Sequence, residues 1–120
     1  MKVLNIEYPT TLDKIEDITN DNIDLFVTLD DGYTYTLVVS TLKNIGTLMG
    51  DRGYSEPGWP QQLIIVEKLT EELIKKAVEA YAEDSEGRYL KVSYLTTSIE
   101  IEEMNQALER IRKMYSDDED

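Results

Sequence analysis

Ser40-Thr41-Leu42-Lys43 sets a hydroxyl and an amine at the spacing used by one class of serine acyl-transfer enzymes. The companion motifs of that class are absent and a four-residue match arises by chance, so no nucleophile is assigned there. The chain contains neither histidine nor cysteine. That excludes serine–histidine and cysteine–histidine sites and most zinc sites, leaving carboxylates, lysine, tyrosine and hydroxyls to move protons. Gly50-Asp51-Arg52-Gly53 lacks the Lys-Ser/Thr pair of a phosphate loop and does not follow a strand, so it reads as a glycine-bounded turn. Asn20-Asp21-Asn22-Ile23-Asp24 gathers oxygen ligands, but the sixth-position glycine and twelfth-position glutamate of a calcium loop are missing. No catalytic residue, metal or cofactor is expected. An enzyme working with carboxylates or lysine alone would need a deep pocket holding a carboxyl of raised pKa.

Binding features are more informative. The first 31 residues carry eight acids against two bases. If Asp13, Glu16, Asp17, Asp21, Asp24, Asp30 and Asp31 share one face, they form a landing surface for a basic protein. A second feature is the stretch 51–62, which contains Tyr54, Glu56 and Trp59, the only tryptophan, among glycines and prolines that fix its shape. Tyrosine and tryptophan dominate binding hot spots because they bury large area at little rotamer cost. Trp59 also reads as a lid over the local core.

The elements that must position these residues follow from periodicity. Residues 2–8 read as a short strand with Leu4, Ile6 and Tyr8 on one face. Leu12, Ile15 and Ile18 then recur at three-residue spacing, which fits one helical turn or a pinned loop. Residues 22–30 alternate, with Ile23, Leu25, Val27 and Leu29 inward, and Asp30-Asp31-Gly32 turns the chain into a returning strand carrying Tyr33, Tyr35, Leu37 and Val39. Thr41 caps a short helix that Gly50 stops. Leu63-Ile64-Ile65-Val66 is apolar on both faces and predicts a central strand. Thr70 caps a helix through about Asp84, residues 88–95 alternate as a fifth strand, and Thr97 with Glu100 predicts a capping box for a last helix. That helix repeats Ile101, Met104, Leu108, Ile111 and Tyr115 at spacings of three and four. The expected fold is α+β: a single domain over 1–115, with an antiparallel or mixed four- to five-stranded sheet around a central hairpin. Two main helices and one short helix pack on it, and residues 116–120 form an acidic disordered tail.

Twenty-five acids against twelve bases give a net charge of -13 over 120 residues. Such a chain repels nucleic acid and anionic lipid and steers basic partners toward itself. The same excess also keeps a protein soluble. No apolar run approaches the ~20 residues that span a bilayer. With no cysteine and no leader-like start, a reducing cytoplasm is expected and neither membrane nor direct nucleic-acid binding is.

Asp21-Asn22-Ile23-Asp24, then Asp31-Gly32-Tyr33 with Tyr35-Thr36, then Thr41, Lys43-Asn44 and Met49, then Glu56-Pro57-Gly58, Ile64-Ile65-Val66 and Leu69-Thr70-Glu71-Glu72 form one ordered pattern along the chain. Over about residues 20–95 it resembles a group of small acidic bacterial proteins, the immunity partners of polymorphic toxins. The resemblance implies an antitoxin-like inhibitor of a basic, nuclease-type toxin and implies no catalytic residue. Two other readings fit the charge: a phage-encoded nucleic-acid mimic that blocks a host DNA- or RNA-guided enzyme, and a regulatory or assembly subunit docking through its last helix. The 98–115 helix can also pair with a second copy of itself.

Overall fold

The computed structural model of the chain describes residues 1–57 and 63–117. The central hairpin joins β2 (Asn22–Leu29) to β3 (Thr34–Thr41) in antiparallel register from Asn22↔Ser40 to Thr28↔Thr34. Period-two alternation buries Ile23, Leu25, Val27, Leu29, Tyr35, Leu37 and Val39 on one face. At the turn, the Gly32 N–H donates to the Leu29 carbonyl at 3.0 Å and the Leu29 N–H to the Tyr33 carbonyl at 3.1 Å. Gly32 takes φ 86°, so a glycine bulge closes the hairpin.

β1 (Val3–Glu7) pairs antiparallel with β2, and its register slips between Val3 and Asn5. The expected common face of Leu4, Ile6 and Tyr8 is therefore broken. The slip leaves Leu4 exposed, whereas Val3 and Ile6 pack on the core. β4 (Leu63–Val66) runs parallel to β3 and completes a mixed sheet ordered β1-β2-β3-β4. It is an edge strand, not the central one its apolarity predicts. Ile64 and Val66 face the core while Ile65 is half exposed.

Between β3 and β4 lies α1 (Leu42–Met49), capped by the Thr41 hydroxyl, which accepts from the Asn44 N–H at 3.2 Å. The oxygen-rich run before β2 is spent here. Asn44 Oδ1 accepts from Asn22 Nδ2 at 2.8 Å, and Asn44 Nδ2 donates to Asn20 Oδ1 at 3.2 Å. These amides, with Asn44 buried and Asn20 and Asn22 half-buried, tie residues 20–22 to α1, while the Leu69 N–H donates to the Ile18 carbonyl at 2.7 Å. Leu12 and Ile15 flank a single 3-10 turn and pack against the core from the side.

α2 (Glu71–Glu83) is capped by Thr70, whose hydroxyl accepts from the Leu73 N–H at 3.3 Å, and it buries Ile74, Val78 and Ala82 against the sheet. Residues 88–95 are helical, not a fifth strand: α3 spans Arg88–Ser98 and α4 spans Ile101–Asp117. Leu90 and Ser93, three apart, are buried in α3, while Val92 points outward. The alternation of Leu90, Val92 and Tyr94 is thus a coincidence of spacing on a helix that packs against β3. Thr97 lies inside α3, its hydroxyl donating to the Ser93 carbonyl at 3.0 Å, so the expected capping box is not used. α4 reaches Asp117, two residues into the segment expected to be a disordered tail. No helix among the described residues is long and apolar enough to cross a membrane.

Between α2 and α3 the chain reverses through three consecutive left-handed residues, Ser85 (φ 49°), Glu86 (φ 57°) and Gly87 (φ 77°). Side chains disfavour that conformation by roughly 1–2 kcal/mol per residue. Gly87 is buried, and a Cβ there would meet Met1 Cγ at 3.4 Å and the Ala82 carbonyl oxygen at 3.5 Å. Urea unfolding should show Gly87→Ala destabilised by about 1–2 kcal/mol and Ser85→Gly or Glu86→Gly stabilised by about 0.5–1 kcal/mol. A neutral Gly87→Ala would contradict the left-handed turn.

Candidate partner-binding site

The hairpin turn and the outer side of α3 enclose a groove of about 420 Å³ lined by Asp31, Tyr33, Tyr35, Lys91, Tyr94 and Leu95. Tyr35 is placed by β3, where strand alternation turns it toward the core. Tyr33 sits in the turn just before that strand, and Tyr94 comes from the helix facing it. The Tyr35 and Tyr94 rings meet edge-on at 5.5 Å, and Tyr33 lies 6.1 Å from Tyr94 at 54°. Rings at these distances and tilts attract through their quadrupoles, which fixes the wall of the groove. Tyr33 and Tyr94 remain 58% and 42% exposed, leaving aromatic surface for a partner.

Asp31 closes one end. Its Oδ1 accepts from the Tyr33 N–H at 2.9 Å and its Oδ2 from the Tyr35 hydroxyl at 2.7 Å. Desolvation pushes the Asp31 carboxyl up, but these two hydrogen bonds and the Lys91 ammonium outweigh it and hold the group below the usual carboxylate range. Burial, followed by the hydrogen bond and charge of Asp31, pushes the Tyr35 phenol far above its ordinary value. At neutral pH the site therefore presents a fixed Asp31 carboxylate and a neutral Tyr35 phenol. Neither group is poised to exchange a proton, and both suit recognition of a cation against aromatic faces.

The structure separates the acids that the sequence grouped together. Asp30 and Asp31 stand at the hairpin tip. Asp13, Glu16, Asp17, Asp21 and Asp24 belong to the segment leading into β2 and to the start of that strand, at the opposite end of the sheet. Asp24 and Asp30 are six extended residues apart, roughly 20 Å. At the far end the Thr19 hydroxyl and N–H donate to Asp17 Oδ1 at 2.6 and 3.0 Å and hold its carboxyl below the usual range. Asp21 Oδ1 accepts from the Asn22 N–H at 2.8 Å. Tyr54 and Glu56 lie at that same end, where Asn22, Ile45, Leu48, Met49, Arg52, Ser55 and Glu56 line a cleft of about 190 Å³. The Arg52 guanidinium stands 5.8 Å over the Tyr54 ring. Trp59 lies outside the described residues. Among the described residues no group of three acids is placed to hold a metal ion.

Comparison of the chain with protein-family models, with curated proteins and with solved structures returned no match.

The tyrosine groove went unseen in the sequence, although its components were visible. Tyr33 and Tyr35 flank Thr34 next to Asp31, and only a helical reading of residues 88–98 turns Tyr94 and Lys91 toward them.

A raised phenol pKa links to stability with a definite sign. The contribution of Tyr35 is fully present below the ordinary value of 10.0 and is lost as pH rises above it. Tyr8, raised by burial and then by Glu71, behaves alike. In a spectrophotometric titration the Tyr35 phenol should ionise above 10.0, and Tyr35→Phe should remove that late component. No loss of a late component in Tyr35→Phe would contradict the burial of Tyr35 against Asp31.

Proposed function

We propose that this protein is a non-catalytic binding module that grips a basic protein through the hairpin-tip groove and the carboxylates beside it. The observation that supports this reading is negative charge left out of ion pairs. Among the described residues only two ion pairs form, Lys76–Glu72 at 3.6 Å and Arg112–Glu109 at 2.9 Å, each within one exposed helix. None of Asp13, Glu16, Asp17, Asp21, Asp24, Asp30 and Asp31 takes part in one. A chain that pays self-repulsion to keep its carboxylates open has them available for an external cation. Aromatic walls add what charge alone lacks, because a guanidinium or ammonium against a tyrosine face, facing a carboxylate, is held by geometry as well as by field.

In its cellular role this module is an immunity or inhibitor protein that neutralises a basic, nuclease-type toxin by covering the toxin's active site. The sequence pattern over residues 20–95 supports that role, as does the chemistry of a nucleic-acid-binding cleft, whose lysines and arginines match an acidic cover. A cytoplasmic location fits this role.

Cells expressing a toxin encoded beside this gene should survive when this chain is co-expressed. The purified complex should weaken steeply between roughly 50 and 500 mM salt, where screening shortens to a few ångströms. Asp31→Asn and Tyr94→Ala should each raise Kd about tenfold or more, as for a hot-spot residue. Salt-insensitive binding, or turnover of a small molecule by the purified chain that is lost with one carboxylate, would overturn the proposal.

A further inference from the structure

The apolar stripe of α4 has no cover among the described residues. Ile101, Leu108, Ile111, Met114 and Tyr115 are 69%, 63%, 48%, 67% and 71% exposed, and α4 forms no extended contact with any other described element. The stripe is regular: Ile101, Met104, Leu108, Ile111 and Tyr115 recur at spacings of three, four, three and four, the seam of a two-stranded coiled coil. Seventeen residues make about 25 Å of helix, a length only marginally stable alone in water, so α4 needs a surface to lie on.

Charge selects the occupant. Glu102 and Glu103 open α4 just after Glu100, whereas its C-terminal half carries Arg110, Arg112 and Lys113, three of the twelve bases within four residues, against Glu109 and Asp117. An antiparallel second copy places each end against its opposite, whereas a parallel copy stacks base on base. The registers of the two effects agree. Layering Ile101 on Ile111 of the second copy and Met104 on its Leu108 sets Glu100 level with Arg112 and Glu102 level with Arg110 of that copy, against one like-charged level, Glu103 with Glu109. Arg112 is also reached by Glu109 of its own helix, which leaves its other donors free. Burying the stripe on both copies removes on the order of 1,000 Å² from water, close to the lower limit of about 1,200 Å² for a specific interface. The affinity expected of such an interface is micromolar.

We infer that α4 is a self-association surface, pairing with α4 of a second copy as a two-heptad antiparallel coiled coil. The inference is independent of the basic-partner reading, because it uses the segment richest in bases and leaves the hairpin tip open. A dimer would present two tyrosine grooves on one particle.

Sedimentation equilibrium of the full chain from about 5 to 200 µM should show a monomer–dimer equilibrium, with Leu108→Gln raising Kd at least about tenfold. Leu108 is exposed, so the substitution leaves the core intact, and circular dichroism checks that the helix persists. Orientation is read by oxidation, since the chain has no cysteine of its own. Mixed Ile101→Cys and Ile111→Cys proteins should cross-link to each other in preference to themselves. A monomer at 200 µM, a dimer indifferent to Leu108→Gln, or preferential Ile101→Cys self-linking would each overturn the inference.

Discussion

The hairpin of β2 and β3 has one apolar face, and the molecule is arranged around the need to cover it. Leu25, Val27, Leu29, Leu37 and Val39 are almost fully withdrawn from water, and α2 supplies the opposing layer through Ile74, Val78 and Ala82. Burying a side chain of this size is worth roughly 1.5–3 kcal/mol before conformational entropy is charged. The cover lies mainly on this side, with α1 reaching the other face only at Asn22 and Ser40. The outer face keeps Asp24, Thr34 and Thr36 in water with Phe26 and Ile65 partly exposed, as antiparallel sheets commonly do.

Coverage on one side also explains where charge can accumulate. Every carboxylate placed on the buried face would need a partner or a proton, and among the described residues none is found there. Acids are therefore displaced to the two ends of the sheet and to helix exteriors, where water screens them. At the hairpin end they meet aromatic rings. At the other end they meet the amide network of Asn20, Asn22 and Asn44, whose hydrogen bonds are satisfied within the fold. The two ends thus differ in kind: one gathers three tyrosine rings around a carboxylate, and the other spends its asparagines on holding α1.

What was legible in the sequence was local. The hairpin follows from alternation and Asp31-Gly32, and Thr41 and Thr70 announce their helices because capping involves residues only three apart. The features that escaped depend on pairing across the chain. The slip at Leu4 is a property of β1 and β2 together, and the edge position of β4 depends on which side of β3 the crossover returns. Residues 88–95 misled because Leu90, Val92 and Tyr94 satisfy a strand period while Leu90, Ser93 and Tyr94 satisfy a helical one. Only a sheet to pack against decides between them. Of the candidate site, Asp30, Asp31 and the global acidity were readable. The convergence of Tyr33, Tyr35, Tyr94 and Lys91 required α3 to be a helix.

The slipped register of β1 carries a consequence for how such a molecule behaves when crowded. An outermost strand with every backbone amide aligned would be a template onto which neighbouring chains could zip, extending one sheet into a filament. With Leu4 displaced, the amides of β1 no longer form an unbroken ladder, so a newcomer would find its own hydrogen bonds out of step within a few residues. The irregularity acts as a guard against fibrillar growth along that margin.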